Sequence, residues 1–282
     1  MSENIVPYEQ LGLSNDFMFG KLMQNEQLCK PFLEQVLDIH IDHLVYLERQ
    51  KTIDEKIDGR SVRLDIYADD GKTVYNCEMQ TSPNRDLPKR TRYYQGQMDL
   101  NMISKGTDYE ELRKTFIIFV CTFDPFGKGG YVYTFRNRCI EYPQMELGDD
   151  TVKVFLNTTG CHGDISAPLK ELLEYIDSGK VPENCQNSLV YELENAVQDA
   201  RTNKEWRRDY MTLEMLKQDY RKDGLREGRA EGLEEGLVKG RKEEQEKTII
   251  NMIKAGMDEA VAANIAETTI DHVRKIRAKH NI

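Results

Sequence analysis

Asp65, Glu78 and Gln80 carry the chemistry most readily read from this chain: two carboxylates and a carboxamide within RLDIYADDGKTVYNCEMQ, from Arg63 to Gln80. Oxygen-only donors of this kind suit a hard divalent cation, Mg²⁺ or Mn²⁺. Two carboxylates held close repel each other unless such a cation, or a proton, lies between them. The stretch alternates as strands do. Leu64 and Ile66 face one way and Arg63, Asp65 and Tyr67 the other; Val74, Asn76, Glu78 and Gln80 then share one face, and Tyr75, Cys77 and Met79 the opposite one. Asp70-Gly71 is a strong two-residue hairpin signal, because Asp and Gly tolerate positive φ at both central positions. With that dipeptide as the loop, residue 69 pairs with 72, 65 with 76 and 63 with 78. Asp65 and Glu78 become diagonal neighbours on one face, roughly 7–8 Å apart. A slip of one residue would scatter the set.

The elements around the hairpin must hold it and bring a substrate to it. Lys51, Lys56, Arg60 and Arg63 cluster near it, and Leu87 to Ser104 reads as a helix whose opening carries Arg85, Lys89, Arg90 and Arg92. Such an edge could grip the phosphates of a nucleic acid, with a solvated charged helix end as the alternative. Upstream, Ser14 to Leu37 is helical, with Ser14 or Asn15 as cap and Pro31 expected to open a second helix. Asp16 or Glu34 could send a further carboxylate toward the site from this layer, with compensation of the helix dipole as the alternative for Asp16. His43 to Thr52 has strand composition, and FIIFVCTF (Phe116 to Phe123) reads as a central strand covered on both faces. Tyr131 to Arg136 and Val152 to Asn157 are further strands. The expected fold is α/β, a mixed central sheet flanked by helices.

The chain has 282 residues, 31% charged and 39% hydrophobic, with a net charge of -10, as expected of a globular domain with a smaller appendage. Its longest apolar run, Phe116 to Cys121, is far short of the ~20 residues a membrane helix needs. The start, MSENIVPYEQ, has neither a basic nor an apolar signal region, and a cytoplasmic location is expected. Six cysteines are scattered without metal-ligand spacing and read as reduced and mostly buried; His162, beside Cys161, reads as a loop residue.

From about Ile165 the chain turns helical. Gly224, Gly228, Gly232, Gly236 and Gly240 recur every four residues, although each glycine costs about 1 kcal/mol against alanine inside a helix. Close backbone contact with a second copy would compensate, so this segment is expected to make the protein a homo-oligomer, with a pliable linker as the alternative. Three short helices follow: Ile249 to Ala255 stopped by Gly256, Asp258 to Ala266, and Ile270 to Lys279 capped by Thr268 or Thr269. They resemble a helix-turn-helix in length, and an interaction role is favoured over DNA binding because the last helix has few basic residues. The expected division is a core over 1–160, a helical extension over 161–222, a glycine-repeat helix over 223–247 and a small helical tail over 248–282.

Taken together, Ser14-Asn15-Asp16-Phe17-Met18-Phe19, Leu64-Asp65-Ile66, Cys77-Glu78-Met79-Gln80, Arg90 through Tyr93-Tyr94, Gly106 to Tyr109, Phe116-Ile-Ile-Phe and the Glu-Gly repeats of Arg226 to Gly240 resemble the Rpn family of recombination-promoting nucleases or putative transposases. That family belongs to the PD-(D/E)XK nuclease superfamily. The resemblance implies a restriction-endonuclease-like core and a Mg²⁺- or Mn²⁺-dependent DNA endonuclease associated with recombination or mobile elements. It implies Asp65 and Glu78 as metal ligands, Gln80 as the residue that positions the attacking water, and Asp16 as a further acid. Elsewhere in the superfamily the position of Gln80 is usually lysine. Lys89, Arg90 and Arg92 would then contact the DNA backbone. A non-cleaving descendant, serving as a DNA-binding or protein-interaction module with an oligomerising tail, is the alternative.

Overall fold

Asn15 and Asn25 start the N-terminal helices by spending their side-chain oxygens on otherwise unpaired backbone N–H groups. In this computed structural model residues 6–53, 62–83, 86–103 and 106–282 are described, with 46–53 and 62–64 as backbone only. Lys56, Arg60 and Arg85 lie outside the described residues, as do the side chains of Lys51 and Arg63. Asn15 accepts from Phe17 and Met18 at the start of α1 (Asp16–Leu22), and Asn25 accepts from Gln27 at the start of α2 (Glu26–Leu37). Pro31 therefore sits inside α2 rather than opening a helix. It removes one i→i−4 bond, a loss offset by burial of Leu28, Cys29, Phe32 and Leu33 in the same helix.

Six strands form one mixed sheet in the order β1-β2-β3-β4-β6-β5. β1 (Tyr46–Ile53), β2 (Val62–Asp69) and β3 (Thr73–Gln80) are successively antiparallel; β4 (Lys114–Cys121) runs parallel to β3 and to β6 (Thr151–Asn157), and β5 (Val132–Phe135) closes the far edge antiparallel to β6. α3 (Leu87–Met102) makes the crossover from β3 to β4. The FIIFVC run occupies β4, and every residue from Thr115 to Cys121 is buried, as a strand covered on both faces requires. This is the restriction-endonuclease-like α/β architecture that the resemblance implies.

Helices cover both faces of the sheet. On one, Leu87, Tyr94 and Met98 of α3 pack with Val74, Ile117, Phe119 and Phe155. On the other, Tyr75 stacks on Phe116 at 5.7 Å, and Cys29 of α2 comes close to Cys77. α4 (Ala167–Ser178) and α5 (Ser188–Thr202) back the α1–α2 layer. Tyr8 and Arg201 tie the N-terminal segment to α5, donating to the carbonyls of Ala200 at 2.6 Å and Leu11 at 2.9 Å. Phe119 is the keystone of the α3 side, fully buried between Tyr94 and Phe155 with ring centroids at 6.2 and 5.3 Å. Phe119→Ala is expected to cost about 3–5 kcal/mol in chemical denaturation through lost transfer energy and a residual cavity.

The chain divides into two compact units, Met1–Met211 and Thr212–Ile282. α6 (Lys204–Lys254) is one helix of 51 residues that contains the whole glycine series. The separate helix expected from Ile249 is the last part of α6, because no proline or cap interrupts the chain there and Thr248 bonds back to the Glu244 carbonyl at 2.9 Å. In the second unit, Gly256 takes φ 80° in the turn after α6, and Asp258 and Thr269 cap α7 (Glu259–Ile265) and α8 (Ile270–His280). Ile249, Ala262, Ala263, Val273 and Ile276 form its small core. Among the described residues, no helix is long and apolar enough to cross a membrane.

Candidate active site

The β2–β3 hairpin sets the geometry of the carboxylates, and its register differs from the expected one. Ile66 pairs with Cys77, Tyr67 with Asn76, Ala68 with Tyr75 and Asp69 with Val74, and the Asp70 N–H donates to the Thr73 carbonyl at 3.1 Å. The loop is therefore Gly71-Lys72, and every partner moves by two residues. Asp70 accounts for the difference. Its Oδ1 accepts from the N–H groups of Lys72 at 2.8 Å and Thr73 at 2.6 Å, and its Oδ2 accepts from the Tyr75 hydroxyl at 2.8 Å. Asp70 thus ends the strand, and Gly71, at φ 88°, takes the first central position, as in a type II′ turn. An even shift leaves each side chain on its expected face. It moves Asp65 from the diagonal to directly across from Glu78, one residue beyond the Ile66–Cys77 pair.

The two carboxylates bond across the strands. The Asp65 N–H donates to Glu78 Oε1 at 3.1 Å, and the Met79 N–H donates to Asp65 Oδ2 at 3.3 Å. Glu78 is 2% exposed. Burial, then the charge of Asp65, raises its pKa well above the ordinary carboxylate value, against the pull of the Asp65 N–H and Arg90. Asn76, two residues earlier on the same face, is fully buried, and neither end of its carboxamide has a hydrogen-bond partner among the described residues. It lies near enough to Glu78 to favour the ionised carboxylate without reaching bonding geometry. The neighbouring thiols are inert: burial pushes Cys77 well up and Cys121, level with Gln80 on β4, to about 12.

α3 supplies the cation. Arg90 donates to Gln80 Oε1 at 2.9 Å and to the Tyr94 hydroxyl at 2.7 Å, and its Nη2 lies 3.6 Å from Glu78 Oε2. Its guanidinium also rests against the rings of Tyr94 and Phe119, at 5.4 and 5.5 Å. Burial works against the charge, yet the Tyr94 bond and the nearby acids keep the Arg90 pKa above its usual value. Lys89, one residue before Arg90, and Arg92, two residues after it, are exposed. The three basic residues grouped in the sequence therefore separate, Arg90 inward and the other two toward solvent. Asp16 opens α1, where its carboxylate accepts from the Phe17 N–H at 2.8 Å. Asn76 and Tyr94 join the site without having been singled out for it. Signals for both were present: a polar residue on the face of Glu78, and an aromatic one turn after Arg90.

Asp65, Glu78, Gln80 and Arg90 thus form one group, brought together from the middle of β2, the last residues of β3 and the first turn of α3. No cluster of three or more His, Cys, Asp or Glu that could hold a metal occurs among the described residues. Two carboxylates suffice for Mg²⁺, which keeps several waters and uses one or two protein carboxylates beside substrate phosphates. A buried Glu78 repelled by the half-buried Asp65, with the Asn76 carboxamide beside it, fits that donor set. No curated protein and no solved structure matches the chain. Residues 13–140, which run from α1 through β5 and so contain every residue of this group, match a family model described as PD-(D/E)XK nuclease family transposase. The site-bearing part of this chain, residues 13–140, is thus similar to a PD-(D/E)XK nuclease family transposase domain.

Proposed function

We propose that the chain is a divalent-cation-dependent endonuclease that hydrolyses phosphodiester bonds of DNA in recombination or on mobile elements. The observation that carries this reading is the pairing of Asp65 with Glu78 across β2 and β3, within the nuclease-family segment. Asp65 and Glu78 would hold the cation, Mg²⁺ or Mn²⁺, and Asp16 is proposed as the further acid. A cation so held supplies Lewis-acid activation of water and neutralises charge building on the phosphate. Gln80 contributes an orienting amide: its carbonyl is occupied by Arg90, which leaves the N–H groups to position water or a phosphate oxygen. The test is nicking of supercoiled plasmid by the purified full-length chain. Cutting is expected with Mg²⁺ or Mn²⁺ and none with a chelator; equal cutting in both would refute the cation requirement.

Lys89 and Arg92 are proposed to grip the DNA backbone from the exposed side of α3. Replacing either with alanine is expected to weaken binding of every sequence alike and to reduce the salt slope of log K by about 1. Unchanged slopes in a salt titration would remove them from the interface.

The glycine-bearing part of α6 is proposed to pair with a second copy of the chain. Within the chain, a Cβ added at Gly224, Gly228, Gly232, Gly236 or Gly240 would meet no atom within 4 Å. No contact among the described residues therefore compensates for the helix propensity these glycines give up. Gly228→Ala with Gly232→Ala is expected to lower the mass seen by light scattering while raising helicity, since alanine favours a lone helix by about 1 kcal/mol per site and obstructs close pairing. An unchanged monomer mass in the parent chain would end the self-association reading.

A further inference from the structure

Residue 80 is an amide in a site that must manage anionic charge, and among the described residues the positive charge beside it comes from a different element. Arginine has only donors, so the Gln80 atom 2.9 Å from Arg90 Nη1 is the carbonyl oxygen. This fixes the orientation of the carboxamide, and Gln80 Nε2 makes no hydrogen bond to a described residue. Arg90 is itself immobilised: its second arm bonds the Tyr94 hydroxyl at 2.7 Å and stands 3.6 Å from Glu78 Oε2, and its plane lies against two rings. A surface arginine gripping DNA would not need such a cradle. One that must hold charge and direction at a fixed point would.

We propose that Arg90 is a positioning residue for cleavage: it turns the N–H₂ end of Gln80 outward to substrate and supplies, through the Arg90–Gln80 pair, the positive charge that residue 80 lacks. The inference rests on the nuclease reading above. It carries a second consequence that does not depend on turnover. A fixed cation 3.6 Å from Glu78 competes electrostatically with a divalent ion for the same carboxylate. Arg90 therefore weakens metal binding while it promotes cutting, whereas a residue that merely braces the fold would support both or neither.

The experiment uses the full-length chain as wild type, Arg90→Gln, Arg90→Lys and the double variant Arg90→Gln/Gln80→Lys. Plasmid nicking gives kcat and KM, electron paramagnetic resonance gives Mn²⁺ affinity, and thermal melts report folding. Arg90→Gln is expected to lower kcat about 100-fold with KM little changed, the scale of losing one preorganised electrostatic group. The same variant should bind Mn²⁺ about 3- to 10-fold more tightly, because a nearby like charge has gone. Arg90→Lys keeps the charge and so the wild-type Mn²⁺ affinity, but it loses the planar fork that spans Gln80 and Tyr94, and its kcat should fall about tenfold. The double variant puts the charge on residue 80 directly and should regain at least about tenfold of the rate lost by Arg90→Gln. Wild-type cutting by Arg90→Gln, a parallel fall in rate and Mn²⁺ affinity, or no recovery in the double variant would each overturn the proposal. A poorly folded Arg90→Gln leaves the decision to Arg90→Lys, whose full activity would overturn it. A wild-type chain that binds Mn²⁺ without cutting DNA would refute the nuclease reading and this positioning role with it. Mn²⁺ affinity unchanged in Arg90→Gln, beside a wild type that cuts, refutes the placement of charge alone.

Discussion

Glu78→Gln is expected to abolish metal-dependent nicking of DNA, with a loss of at least about 1,000-fold in kcat and a fold that stays intact. The exchange is chosen because it separates charge from shape. Glutamine keeps an oxygen to accept the Asp65 N–H, the bond that Glu78 Oε1 makes at 3.1 Å. It removes the anion that would hold the cation and that faces Arg90 at 3.6 Å. Asp65→Asn should behave in the same way, since Asp65 Oδ2 accepts the Met79 N–H and an amide oxygen can do so too. The double variant should be scarcely worse than either single one, because two ligands of one ion act as a unit. Plasmid nicking at saturating Mg²⁺, with circular dichroism as the folding control, checks all three. Activity within tenfold of wild type in either single variant would mean that the paired carboxylates do not carry the reaction.

The faces of the hairpin were legible in the sequence because strand alternation has period two, and a register error by an even number cannot change a face. The register itself was not. Asp-Gly suits a turn in more than one placement, and the choice fell to three bonds accepted by the Asp70 side chain, which alternation does not encode. The covered strand β4 was readable from its unbroken apolar run. The start of the second helix was not legible, because Pro31 suits a first turn while Asn25, a stronger cap further upstream, sets the boundary. Arg90 shows most plainly where sequence reading stops. Lys89, Arg90 and Arg92 look alike as a basic run, and only the packing of α3 on β4 turns the middle one toward Glu78 and Gln80. Residue 80 carries no charge in the sequence, and the fold brings a cation to it from ten residues further on.

Without divalent ions, the stability of the wild-type chain relative to Glu78→Gln is expected to fall as the pH rises above the ordinary carboxylate value of 4.5. The sign follows from Glu78 being raised well above its ordinary 4.5 by burial and by Asp65. A carboxyl with a raised folded pKa favours folding fully only below its unfolded value, where both states are protonated. That contribution is lost as the pH climbs through the folded pKa, because the folded state must then hold a buried anion opposite another carboxylate. Arg90 reduces the loss without removing it, since the net shift remains upward. The glutamine variant has no proton to lose at this position, so the difference between the two melting curves isolates the group from every other titration. Mg²⁺ or Mn²⁺ should reverse the trend for the wild type alone, because an ion bound only by the folded state adds about 2.7 kcal/mol at one hundred times its Kd. Thermal melts across this pH range, with chelator and with each ion, measure both effects. A wild type that gains stability over the variant as the pH rises in chelator, or a variant that Mg²⁺ and Mn²⁺ stabilise as strongly as the wild type, would show that Glu78 is neither strained when charged nor part of the ion's site. The strain and the binding have one origin: a carboxylate kept out of water beside its like is costly to ionise alone and favourable to ionise against a cation.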